Sequence, residues 1–130
     1  MIDAKPLKRY RATIGEWERF REWFCLERCW VCGAPWQELH HIYPRGQGGD
    51  DVVENLAPVC RDCHGRIEAR EPIARSQLRH ALMPSHIAYL EGKLGDTAEG
   101  WLERNYARVF ACEPCECGGH PDCPDCARAA

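Results

Sequence analysis

Trp17, Phe20 and Phe24 recur at helical spacing with Trp23 beside them, just after Thr13 and Glu16, which stand at the spacing of a capping box. The pattern predicts a helix over residues 14–27 whose aromatic stripe packs as core, with Cys25 buried in it. From Cys29 to about Arg70 the chain is instead dense in Cys, His, Gly and Asn. Gly46, Gly48 and Gly49 loosen a loop over residues 45–51. Beyond Pro72 helical patterning returns twice: Ile87, Leu90 and Leu94 ending at Gly95, then Asp96 and Glu99 as a second capping box before Trp101, Leu102 and Tyr106. These helices read as packing or partner surface without chemistry of their own. Residues 112–126 show no apolar periodicity, and the chain has no internal repeat.

The patterning divides the chain into a basic segment and helix (1–28), a polar core segment (29–70), C-terminal helices (71–110) and a Cys-rich tail (111–130). A chain of 130 residues holds one modest domain, so something besides apolar burial is expected to help hold it together. Ten cysteines suggest what that is. The stretch after Met1 runs through Lys5, Lys8, Arg9 and Arg11 and reads as neither a secretory leader nor a membrane span. A reducing cytoplasm is therefore expected, where thiolates bind metal. A net charge of −3 argues against a protein that coats nucleic acid through bulk positive potential, so any such grip must be local.

Cys29 and Cys32 form one Cys-x-x-Cys knuckle, and Cys60 and Cys63 form another. Four thiolates so spaced suit tetrahedral zinc, with Zn–S near about 2.3 Å, and leave no position open for water or substrate. The zinc is therefore read as structural, closing the loop between the knuckles.

Between and beside the knuckles stand His40 and His41, Asn55 before Leu56, His64 directly after Cys63, and Glu68. The stretch CWVCGAPWQELHHIYPRGQGGDDVVENLAPVCRDCHGRIE, about a third of the chain, resembles the HNH endonuclease family: a histidine pair, a Gly-Gly-Asp loop, an Asn-Leu and a closing Cys-His. The resemblance implies an α+β, ββα-metal fold, and the sequence supplies it with a strand over 39–43, a long loop, a short strand near Pro58 and a helix from about Arg61. On that helix Cys60, Cys63 and Ile67 share one face, with His64 and Glu68 on a neighbouring one.

The resemblance further implies metal-dependent hydrolysis of phosphodiester bonds in DNA, cutting or nicking with low sequence specificity. His41 is then the general base, its imidazole neutral near neutral pH. His40 and His64 match the ligands of a catalytic divalent cation, and Glu68 is a weaker candidate. Magnesium or manganese is the first choice, although nickel, cobalt or zinc suits two imidazoles better. Asn55 is expected to hydrogen-bond across the loop and hold the His41 strand. Arg45, Arg61 and Arg66 are candidate phosphate contacts. The layout also resembles small phage proteins, some of which assist a packaging terminase; the location would then be the host cytoplasm.

The tail offers Cys112, Cys115, Cys117, His120, Cys123 and Cys126, more ligands than one tetrahedral ion needs, and suggests a second zinc. Its acidic residues favour a protein partner over phosphate. The alternative to an enzyme is a non-catalytic zinc module that binds nucleic acid or a partner such as a terminase.

Overall fold

Thr13 opens the first helix, α1 (Ile14–Trp23), and closes the expected capping box: its hydroxyl accepts from the Glu16 N–H, and the Glu16 carboxylate accepts from the Thr13 N–H, each at 3.1 Å. The computed structural model describes residues 8–109, so the cysteines and histidine of the tail lie outside the described residues. Helix α1 ends at Trp23, short of residue 27, because Phe24 turns inward. The Phe24 ring meets Trp30 edge-on at 6.2 Å and its carbonyl accepts from the Trp36 indole at 2.9 Å. Cys25 is therefore past the helix and exposed, not buried. The aromatic stripe is not core either. No residue of α1 is buried and Trp23 is 70% exposed; only Phe24, at the cap, enters the interior.

The polar segment folds as a two-stranded antiparallel ribbon, β1 (Glu38–His41) and β2 (Leu56–Val59), followed by α2 (Arg61–Glu68). Glu38 pairs with Val59 and His41 with Leu56. Strand β1 is shorter than expected because Asn55 takes over the backbone of Tyr43. In the loop between the strands Gly48 adopts a left-handed φ of 101°. A Cβ on Gly49 would lie 1.8 Å from the Tyr43 carbonyl oxygen, so only glycine lets the loop close here.

Three helices cover the ribbon: α3 (Pro72–Ala81), α4 (Pro84–Leu94) and α5 (Ala98–Asn105). Helix α3 has no counterpart in the sequence reading. Its start is set by Pro72 and by Glu71, whose carboxylate caps the N–H groups of Ile73 and Ala74. Helix α4 ends at Gly95 as expected. The second capping box does not form. Residues 95–97 make a 3-10 turn, and Thr97 takes the N-cap position of α5 without a side-chain capping bond, because its hydroxyl donates back to the Leu94 carbonyl at 2.6 Å.

Ile42 just after β1 and Ala57 and Val59 of β2 pack with Ile67 of α2, Leu78 of α3, Leu90 of α4, and Trp101, Leu102 and Tyr106 at the C-terminal end. Burial of this shared apolar interior attaches the helices to the ribbon. No helix among the described residues is long and apolar enough to cross a membrane.

Candidate active site and metal centres

The four knuckle cysteines converge: Cys29, Cys32, Cys60 and Cys63 bring their sulfurs within 4.8 Å of one another. Backbone N–H groups already point at them, Val31 to Cys29 Sγ and Cys63 to Cys60 Sγ, each at 3.4 Å. Burial raises the Cys29 thiol, but N–H groups of Cys32, Cys60 and Val31 outweigh it and bring Cys29 down to about 7. Burial and the neighbouring sulfurs push Cys63 upward. Without a cation the cluster thus favours one thiolate and suppresses the next; a tetrahedral zinc accepting four thiolates removes that conflict.

A second cluster lies on the neighbouring face of α2, where His40, His64 and Glu68 offer ligand atoms within 4.8 Å of one another. Hydrogen bonds fix the tautomers of both imidazoles. The buried Tyr106 hydroxyl donates its one proton to the Ile42 carbonyl at 3.1 Å. It must therefore accept from His40 Nε2–H, 2.8 Å away. His64 Nδ1 lies 2.9 Å from a Glu38 carboxylate oxygen, which can only accept, so the His64 proton sits on Nδ1.

The bare lone pairs of both rings then face Glu68. His40 Nδ1 stands 3.5 Å and His64 Nε2 3.3 Å from Glu68 Oε1. His40 Nδ1 is buried and, among the described residues, has no hydrogen-bond partner. Burial keeps His40 neutral by lowering its pKa. With both rings in their neutral form, His40 Nδ1, His64 Nε2 and the Glu68 carboxylate are three converging acceptors that suit a cation, each ring oriented by a group behind it.

His41, the adjacent residue, turns to another partner. Its Nε2 lies 2.8 Å from Asp51 Oδ1. Burial lowers the His41 pKa more than Asp51 restores it, so the ring is neutral at neutral pH. The Trp17 ring meets it edge-on at 6.0 Å. Asn55, fully buried, accepts from the Tyr43 N–H at 2.8 Å and donates to the carbonyls of Tyr43 at 3.0 Å and Asp50 at 3.1 Å. It is the staple between the end of β1 and the loop.

His41, His64 and Glu68 line one cleft of about 450 Å³ together with Trp17, Pro44, Arg45 and Gly46. An adjoining hollow adds Arg21, Glu38 and Arg61 along the same wall, again beside Trp17 and His64. Arg45 and Arg61 therefore stand at the cleft. Arg66 does not: it pairs with Glu71 at 3.0 Å on the side of α2 near Cys60.

The family model for HNH endonucleases matches residues 27–70, the span that holds both clusters, the ribbon and His41. This segment is an HNH endonuclease domain. The chain is 27% identical over 70 residues, 49% of its length, to a mitochondrial DNA mismatch repair protein mutS homolog of Sarcophyton glaucum. It is 41% identical over 32 residues, 25% of its length, to the type IV methyl-directed restriction enzyme EcoKMcrA of Escherichia coli (strain K12). It spans only 7% and 12% of those two proteins. No solved structure matches at a significant level.

The HNH domain draws on residues to which the sequence assigned no role at the site. Asp51, Glu38, Trp17 and Tyr106 each touch a site histidine, and Arg21 joins the cleft wall. The C-terminal helices were expected to be without chemistry. Instead, Tyr106 at the end of α5 holds His40, and Tyr89 of α4 donates to Asp50 at 2.6 Å. The adjacent aspartates after Gly49 were the sole local hint of a carboxylate near the histidines, and nothing in their spacing says which one turns inward.

Proposed function

We propose that the chain is a divalent-metal-dependent nuclease that hydrolyses phosphodiester bonds in DNA. The observation that carries this reading is one cleft lined both by a neutral imidazole, His41, and by residues of a separate cluster with converging, unprotonated ligand atoms. His41 takes a proton from water, and the resulting hydroxide attacks the phosphorus as the bond to the 3′ oxygen breaks. His40, His64 and Glu68 would hold the cation, which when bound supplies neutralisation of the phosphate and of the departing oxygen. Magnesium or manganese is the working ion in this reading, with nickel, cobalt or zinc as tighter competitors. Four thiolates on the neighbouring face of α2 would keep zinc structural.

Arg21, Arg45 and Arg61 along the cleft suit phosphate oxygens, which carry no sequence information, so specificity is low. The two relatives are named as a DNA mismatch repair protein and a methyl-directed restriction enzyme, and DNA is accordingly the substrate assigned. The test is incubation of the zinc-loaded chain with supercoiled and linear DNA in magnesium, manganese, nickel or EDTA. Cutting in magnesium or manganese that stops in EDTA supports the reading. Binding without cleavage in every metal returns the chain to the class of non-catalytic zinc modules.

A further inference from the structure

The His41–Asp51 contact is anchored from outside the HNH match. Asp51 is 3% exposed, and three further groups converge on it. Arg9 Nη1 donates to Oδ1 at 2.7 Å, the Ala12 N–H donates to Oδ2 at 2.9 Å, and the Asp51 N–H donates to the Tyr10 carbonyl at 2.8 Å. Arg9 also donates to the Gly49 carbonyl at 3.1 Å. Residues 9–12 therefore strap the glycine loop down at the aspartate that meets His41. Burial alone would raise Asp51, but Arg9, the Ala12 N–H and His41 outweigh it and hold the carboxyl below its ordinary value. An ionised carboxylate only accepts, so the proton of neutral His41 sits on Nε2. Nδ1 is left bare, and among the described residues it has no hydrogen-bond partner.

We infer that Asp51, clamped by Arg9 and the backbone of residues 10–12, is a positioning residue that fixes the Nε2–H tautomer of His41 and so keeps Nδ1 free to receive the proton of water. This rests on the reading of His41 as general base and goes beyond it: the active site is completed by a strap that precedes the HNH segment. The same logic operates in serine hydrolases, where a buried aspartate orients an imidazole without itself taking the proton.

The experiment uses the full, zinc-loaded chain labelled with ¹⁵N, at a pH well above histidine's ordinary value, and reads the two ring-nitrogen shifts of His41 together with DNA cleavage. The wild type is expected to show a protonated Nε2 and a bare Nδ1. In Asp51→Asn the side-chain amide can donate to Nε2, so the proton is expected to move to Nδ1, with cleavage falling about 100-fold while amide shifts elsewhere stay in place. A wild-type ring protonated on Nδ1 overturns the inference, and that result needs no variant to fold. So does a loss of cleavage with the tautomer unchanged, or a changed tautomer with cleavage intact. If the wild type does not cleave DNA, the nuclease reading falls, while the ring shifts still decide whether Asp51 sets the tautomer.

Discussion

Helix α2 serves two clusters that differ in how they are held. At its N-terminal end Cys60 and Cys63 meet Cys29 and Cys32, and most of the supporting groups are backbone N–H donors within three residues of the sulfurs they serve, Val31 for Cys29 and Cys63 for Cys60, with the Cys60 N–H reaching across to Cys29. One turn on, His64 and Glu68 meet His40, and their support comes from far away in the chain. Glu38 is 26 residues from His64, and Tyr106 is 66 residues from His40. The first cluster is closed by its own turns. The second is tuned by the tertiary fold, leaves Glu68 65% exposed on its side chain, and opens on a cleft. The site for structure is supported mainly by its own turns, and the site for chemistry is supported by distant segments and left open to the cleft.

The sharpest way to break that contrast is at the closed cluster. Cys63→Ser leaves three thiolates around the ion and removes a buried ligand, and the binding energy at stake is on the order of 10 kcal/mol. Zinc content and the dispersion of amide resonances should collapse together. A well-dispersed spectrum without zinc would show that the fold does not depend on the sulfurs.

At the open cluster the effect should be smaller and should leave the zinc alone. Tyr106→Phe orphans the buried His40 Nε2–H, costing about 1–3 kcal/mol of stability. It also frees the His40 ring to turn, so affinity for manganese should drop about 10- to 100-fold by calorimetry, with zinc still bound in full. Unchanged manganese affinity would mean that the C-terminal end of α5 does not tune the site.

The smallest effect concerns a histidine that belongs to neither cluster. His86 is buried in α4, where its Nδ1 accepts from the Met83 N–H at 3.0 Å and its Nε2 lies 3.0 Å from the Leu56 carbonyl. Burial holds its pKa below the ordinary 6.5. The unfolded chain therefore takes up a proton before the folded one, so this contribution to stability is intact above about 6.5 and is lost as pH falls through the folded value. In His86→Gln the decline of urea stability between neutral and mildly acidic pH should be measurably shallower. It should not vanish, because buried His40 titrates with the same sign. An unaltered slope would place the acid sensitivity elsewhere.

What the sequence made legible follows the same division. Two Cys-x-x-Cys knuckles, a histidine pair, an Asn-Leu and a Cys-His are short-range patterns, and the ribbon and α2 that carry them lie within a residue or two of expectation. The approach of Tyr106 to His40 and of Arg9 to Asp51 depends on how distant segments pack, which no local period encodes. The aromatic spacing of α1 misled for a related reason. Periodicity marks a helix face but not what that face meets, and here Trp17 meets His41 and the cleft rather than core.

The measurement that tests the central claim most directly is the single-turnover rate of DNA cleavage by wild type and His41→Ala, both carrying full zinc and compared in the same magnesium or manganese buffer. Removal of a general base from an intact site should cost about 10²- to 10⁴-fold while zinc content and fold are unchanged. Equal rates in the two proteins would contradict the assignment of this cleft and of His41 to phosphodiester hydrolysis.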